Sequence, residues 1–179
     1  MTGVVELEKA RLNLAIKRGY RNWISQFGES FDKETRLSQI SQKTLALLAL
    51  GRGRSSFFLF DLIMNLQNLG SGFEFNELTP KKKMTILDRH LFLLDRIRFE
   101  YMKRLDWLKY YPGEEFTIVE LIVNFSQLAH NLYSKTPSLS RRHPLYNKFN
   151  KMNILGKKEL VQKLIPRALE KIKDHPPIL

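Results

Sequence analysis

Cysteine is absent from the 179 residues of this chain. Disulfide bonds, thiolate metal sites, iron–sulfur clusters and cysteine nucleophiles are therefore excluded, and the composition suits a reducing compartment. The opening residues include acidic side chains and no uninterrupted apolar stretch, which predicts that there is no signal peptide. The most apolar run, 45–64, is interrupted by Arg52, Arg54 and Asp61, so we expect no membrane-spanning segment and a cytoplasmic protein.

Recognisable catalytic and metal-binding motifs are lacking as well. None of the four histidines has a second histidine or a glutamate three or four residues away, the spacing of a helical metal site. No arginine precedes a histidine by five to seven residues, as it does in one class of helical ribonucleases, and nucleophile-elbow, Walker A and kinase motifs are missing. We therefore predict no enzymatic activity, cofactor or metal, and a buried His90 that bonds a backbone carbonyl. An enzyme would need a site assembled from scattered residues.

Apolar residues make up 43% of the chain and charged residues 27%, a balance typical of a folded globular protein. The apolar residues follow the helical period in most segments. We predict a single all-α domain of six or seven helices, with a helical core in residues 1–134. Residues 135–179 should form a basic, helical C-terminal extension packed on the same domain. The central element of the whole domain is predicted to be one long helix from Thr79 to Tyr111, which begins with a capping threonine and a proline.

Local signals predict the other helix boundaries. Gly51 is placed to end a helix that begins near Lys33, because glycine readily adopts the left-handed conformation after a helix. Ser55 or Ser56 can cap the next helix, which should extend to Gly70.

Three further boundaries follow from turn and capping residues. Segment 70–78 alternates apolar and polar residues and is the one place where a short strand or hairpin is expected. Thr117 and Glu120 fit a capping box for a helix that should continue to Ser134. A last helix should begin near Lys158.

Positive charge is concentrated near the C-terminus. The formal net charge is +12, and residues 135–179 account for +8 of it. The same segment contains tyrosine, phenylalanine and several asparagines, a mixture typical of nucleic-acid-binding proteins.

Four predicted helix starts carry cations, although the helix dipole favours acidic residues there. Each cation costs about 0.3–1 kcal/mol at low salt, but cations beside free N–H groups bind phosphate well. The sequence Gly51-Arg52-Gly53-Arg54 has a second explanation, because a glycine turn between two helices also accounts for it. The candidate phosphate-binding residues are Arg52, Arg54, Lys81, Lys82, Lys83, Arg141, Arg142, Lys148, Lys151, Lys157 and Lys158, and the candidate base-stacking residues are Tyr146 and Phe149.

Two functions are compatible with these features. We predict a non-enzymatic protein that binds RNA, DNA or another polyanion through backbone phosphates. The alternative is a helical protein–protein interaction subunit or a homo-oligomer without nucleic acid. It is suggested by Tyr101, Trp107, Tyr110 and Tyr111, because aromatic side chains are enriched in the cores of interfaces.

Overall fold

The computed structural model describes residues 2–174, of which most are helical. This confirms the predicted all-α class. The α-helices of this range are α1 (Thr2–Phe27), α2 (Gln42–Leu50), α3 (Gly53–Leu66), α4 (Pro80–Arg104), α5 (Ile118–Val123), α6 (Phe125–Ser134), α7 (Tyr146–Asn150) and α8 (Ile154–Asp174). Two 3₁₀ helices, Leu37–Gln39 and Gly72–Glu77, and two short strands, β1 (Leu108–Tyr110) and β2 (Ser138–Leu139), complete the elements.

Helix α4 is the central element, as predicted. Its residues Ile86, Phe92 and Met102 are fully buried. Helices α2, α3 and α8 pack on α4, and α1 packs on α3. The buried apolar residues form one cluster that extends from Trp23 in α1 to Ile172 in α8, so the basic C-terminal helix shares the core of the preceding helices.

The central helix is shorter than predicted, because it ends at Arg104 and not at Tyr111. Asp106 adopts a left-handed conformation with a φ of 59°. The Trp107 N–H then donates to the Met102 carbonyl at 3.0 Å, which closes the last turn. The residues that follow leave the helix and pair as a strand.

The strand pairing lies outside the segment where it was expected. Leu108 of β1 is paired with Leu139 of β2 in antiparallel orientation. Segment 70–78, predicted as the hairpin, instead contains a 3₁₀ helix. The Gly72 N–H donates to the buried Asp61 carboxylate at 2.9 Å, so a contact with α3 fixes the start of this turn.

The connection between α2 and α3 follows the prediction in part. Gly51 ends α2 with a left-handed φ of 66°, as expected. Ser55 does not cap α3, because its hydroxyl donates to the carbonyls of Leu47 and Arg52, both at 3.0 Å. Helix α3 begins at Gly53, and no side chain of the described residues caps its first turn.

The other predicted boundaries agree with the structure in part. The predicted capping box is confirmed: Thr117 accepts from the Glu120 N–H at 3.1 Å, and the Glu120 carboxylate accepts from the Thr117 N–H at 2.8 Å. The helix that it opens breaks at Asn124, which separates α5 from α6. Helix α2 begins at Gln42 rather than near Lys33, since a 3₁₀ turn precedes it.

Candidate nucleic-acid interface

A polar cleft lies beside the β1–β2 pair, with a volume of about 210 Å³. Its walls come from both strands, the loop after β2, α7 and the first turn of α8. The lining residues are Lys109, Ser138, Leu139, Arg141, Tyr146, Phe149, Asn150 and Lys157. Three of them are cations, and none of these eight is acidic. This site, named here the basic cleft, brings together four of the residues predicted from the sequence.

Strand pairing brings Lys109 and Arg141 to the same cleft. Lys109 is the exposed residue of β1, next to the buried Leu108, and Arg141 follows β2. Sequence reasoning missed Lys109 because it assigned this segment to the long helix. The alternation of apolar and charged residues in Leu108-Lys109-Tyr110 is typical of a half-buried strand and is the signal that could have found it.

The two predicted stacking residues have different surroundings. Phe149 is only 4% exposed, and the Lys157 ammonium lies 5.3 Å from the centre of its ring. A buried ring presents no face to a base, so the stacking role predicted for Phe149 is corrected. Tyr146 is partly exposed, and the Asn150 side chain, aided by the positive charge of Arg141, lowers the pKa of the Tyr146 phenol.

Adjacent cations of the sequence are separated in the fold. Arg142 is directed to Asp106, with 3.5 Å between guanidinium nitrogen and carboxylate oxygen, while its neighbour Arg141 lines the basic cleft. Lys158 donates to the Tyr133 carbonyl, while its neighbour Lys157 lines the cleft. Lys148 of α7 and Lys151, which follows that helix, are exposed but do not line it.

The three lysines at the start of α4 form a separate group. Tyr111 bonds Glu100, so the chain after α4 lies beside the last turns of that helix. The first turns of α4 carry Lys81, Lys82 and Lys83, which lie roughly 30 Å from Glu100 along the helix axis at about 1.5 Å per residue. One backbone N–H group at this helix end already has a partner, because the Thr79 hydroxyl accepts from the Lys82 N–H at 3.4 Å.

Arg52 and Arg54 form a third basic group at the start of α3, and both are exposed. Gly51 and Gly53 have left-handed φ values of 66° and 69°, which the turn explanation requires. Arg98 adds a cation here, because its Nε donates to the Ala49 carbonyl at 2.9 Å. The group does not line the basic cleft.

The aromatic cluster behind the alternative function is only partly at the surface. Tyr101 and Tyr111 are 5% and 0% exposed and belong to the core. Trp107 and Tyr110 are partly exposed. Trp107 borders a second cavity, of about 450 Å³, together with His143 and several neighbours. The predicted interaction surface is therefore reduced to two aromatic side chains.

His90, which lies outside the basic surfaces, is buried as predicted. His90 stacks on Phe60 with ring centres 3.9 Å apart, and its polar partner is the Ser56 hydroxyl at 3.5 Å rather than a backbone carbonyl. Burial lowers the pKa of His90 to about 4. Across residues 2–174, no three histidine or acidic side chains are grouped in a way that could hold a metal ion.

No helix in the described range has an apolar stretch long enough to cross a membrane. Comparison with protein-family models, curated proteins and solved structures gives no match.

Proposed function

We propose that this protein binds nucleic acid through its backbone phosphates, with the basic cleft as the central contact and no chemistry of its own. The observation that carries the proposal is the convergence of Lys109, Arg141 and Lys157 on one polar cleft with no acid among its eight lining residues. Like charges held together repel one another, and a bound phosphate relieves that repulsion. Phosphate contacts of this kind position a nucleic acid without reading its sequence.

The surroundings of the cleft favour a single strand. Tyr146 offers one partly exposed ring beside three cations, and bases stack on aromatic rings along a charged groove in proteins that bind single strands. A volume of about 210 Å³ accommodates a phosphate and part of its sugar rather than a double helix.

A matched pair of double variants tests the site. Arg141→Glu with Lys157→Glu reverses two cleft charges, whereas Arg142→Glu with Lys158→Glu reverses their sequence neighbours, which are directed elsewhere. Both variants change the net charge equally. We expect the first to weaken binding of a fluorescent single-stranded 20-mer, DNA or RNA, about tenfold, or roughly 1.4 kcal/mol, and the second to have a much smaller effect.

Fluorescence anisotropy at low and moderate salt is the measurement, and thermal unfolding verifies that both variants are folded. Equal losses in the two variants would mean that net charge alone governs binding, which contradicts a localised site. An absence of binding by the unchanged protein at low salt would overturn the function itself.

One observation favours the alternative function. The first half of α1 projects from the core, and its apolar side chains Val4, Val5, Leu7 and Leu14 are between 51% and 66% exposed. Val4, Leu7 and Leu14 lie on one side of the helix, and an exposed apolar face of this kind suits a protein partner or a second copy of the chain. Sedimentation analysis of the full chain tests whether it self-associates, and a strict monomer would exclude the second copy as the partner.

A further inference from the structure

A buried guanidinium in α4 forms no ion pair with any of the described residues. Arg96 is 3% exposed, and no carboxylate between residues 2 and 174 lies within ion-pair distance of it. Its Nη1 donates to the Pro112 carbonyl at 2.5 Å, while its Nε is buried with no hydrogen-bond partner there. The neighbouring Asp95 carboxylate attracts Arg96 without forming an ion pair with it, so the buried charge is only partly compensated.

Three aromatic rings stabilise the positive charge of Arg96 in part. The guanidinium carbon of Arg96 lies 4.8, 5.2 and 5.9 Å from the ring centres of Phe92, Phe99 and Tyr133. Cation–π contacts of this kind compensate partly for the loss of water. They also hold the guanidinium plane in place, which prepares it to bind a planar anion.

Arg96 is one of the residues that line a cavity of about 210 Å³. The cavity lies between α4, α6 and α8, and most of its surface is apolar, from Phe99, Leu132, Pro137 and Val161. Its other lining residues are two lysines, one glutamine, one tyrosine and one acid: Lys135, Lys158, Gln162, Tyr133 and Asp95. Cations therefore outnumber carboxylates by three to one around the cavity.

We propose that this cavity binds a small organic monocarboxylate. Its carboxylate would face Arg96, with Lys135 and Lys158 lining the same cavity, and its apolar body would cover Phe99 and Val161. Arginine is the side chain best suited to carboxylate because its N–H groups match both oxygens. The apolar walls distinguish such a ligand from inorganic phosphate, which would leave them uncovered.

The size of the cavity limits the ligand. Cavities that hold drug-sized molecules measure roughly 300–1,000 Å³, and this one is smaller. A single aromatic ring with one carboxylate is of suitable size, so benzoate is the probe. The site shares no lining residue with the basic cleft, and the two proposals can fail separately.

Binding is measured by calorimetry and by the amide chemical shifts of the full chain. We expect saturable benzoate binding with shifts centred on Tyr133 and Val161. Benzamide, which has the same shape without the charge, should bind at least about tenfold more weakly. Inorganic phosphate should show no saturable binding at this cavity.

Two variants and a control locate the ligand. Lys135→Gln alters an exposed side chain that lines the cavity and should weaken benzoate binding severalfold without affecting the fold. Val161→Phe fills the cavity and should abolish binding. Lys163→Gln removes an equal charge from an exposed position of α8 that does not line the cavity, and should leave binding unchanged.

Three results would overturn the proposal: no saturable benzoate binding, equal affinity for benzamide, or equal effects of Lys135→Gln and Lys163→Gln. The variant with Arg141→Glu and Lys157→Glu should retain benzoate binding, because those residues line the other cleft.

Discussion

The Tyr111 hydroxyl donates a 2.7 Å hydrogen bond to the Glu100 carboxylate, and both residues are buried. The other carboxylate oxygen of Glu100 accepts from Arg104 at 3.2 Å. Burial, together with the negative charge of Glu100, raises the pKa of Tyr111, so the phenol remains protonated and donates. This bond holds the chain after α4 against that helix and thereby positions β1, which carries Lys109 into the basic cleft.

Tyr111→Phe removes that donor and leaves one oxygen of a buried carboxylate unpaired. We expect the free energy of unfolding to fall by about 1–3 kcal/mol, measured by urea denaturation. Tyr110→Phe removes the same hydroxyl from the partly exposed neighbour and should change stability by less than about 0.5 kcal/mol. Equal effects of the two substitutions would show that the bond to Glu100 does not stabilise the fold.

His90 should make stability depend on pH. Its pKa is about 4 in the folded protein against an ordinary value of 6.5, so the unfolded chain binds the extra proton between these pH values. Stability is therefore complete above pH 6.5 and falls as the pH decreases towards 4, by roughly 3 kcal/mol.

This contribution is measured by urea denaturation at several pH values. The His90→Gln variant is compared with His130→Gln, in which an exposed histidine is replaced. The first substitution should flatten the dependence between pH 4 and 6.5 and the second should not. If the two variants keep the same slope, the destabilisation in acid does not come from His90.

Salt dependence reports how many phosphates are contacted. Each contact to a single strand contributes about 0.7 to the slope of log affinity against log salt, because binding releases counterions. We expect Lys109→Ala, Arg141→Ala and Lys157→Ala each to lower the slope by about that amount. Lys163→Ala, outside the cleft, should leave it unchanged. A weaker affinity with an unchanged slope would indicate that the side chain supports the fold rather than a phosphate.

The two glycines of the α2–α3 connection provide a test of the turn. Both have a left-handed φ, which costs other residues about 1–2 kcal/mol. A Cβ on Gly51 would also lie 3.3 Å from Arg98 and Leu94, whereas one on Gly53 would meet open space. Gly51→Ala should therefore reduce the unfolding free energy more than Gly53→Ala. If Gly53→Ala costs as much, crowding at Arg98 is not what distinguishes them.

Much of the helical framework was predictable, because its signals are local. The capping box of Thr117 and Glu120 joins residues three apart, and Gly51 ends α2 through its own backbone preference. The apolar period of α4 identified the central helix without any knowledge of its neighbours. Composition likewise showed that positive charge is concentrated after residue 134.

The candidate site was predictable only in part. The sequence marked Arg141 and Lys157 as cations, but it marked Arg142 and Lys158 equally. Only the pairing of β1 with β2 and the direction of α8 separate the residues that line the basic cleft from their neighbours. Phe149 was misjudged for the same reason, since its burial depends on packing between α7 and α8.

By itself, the sequence determined the helical class, the caps at Gly51, Thr79 and Thr117 and the distribution of charge, since these follow from residue type and from contacts within a few positions of the chain. Tertiary structure decided that α4 ends at Arg104, that Lys109 joins the basic cleft, and that Arg96 is buried beside a cavity. These features depend on contacts between segments that are far apart in sequence, and such contacts leave no period or motif in either segment alone.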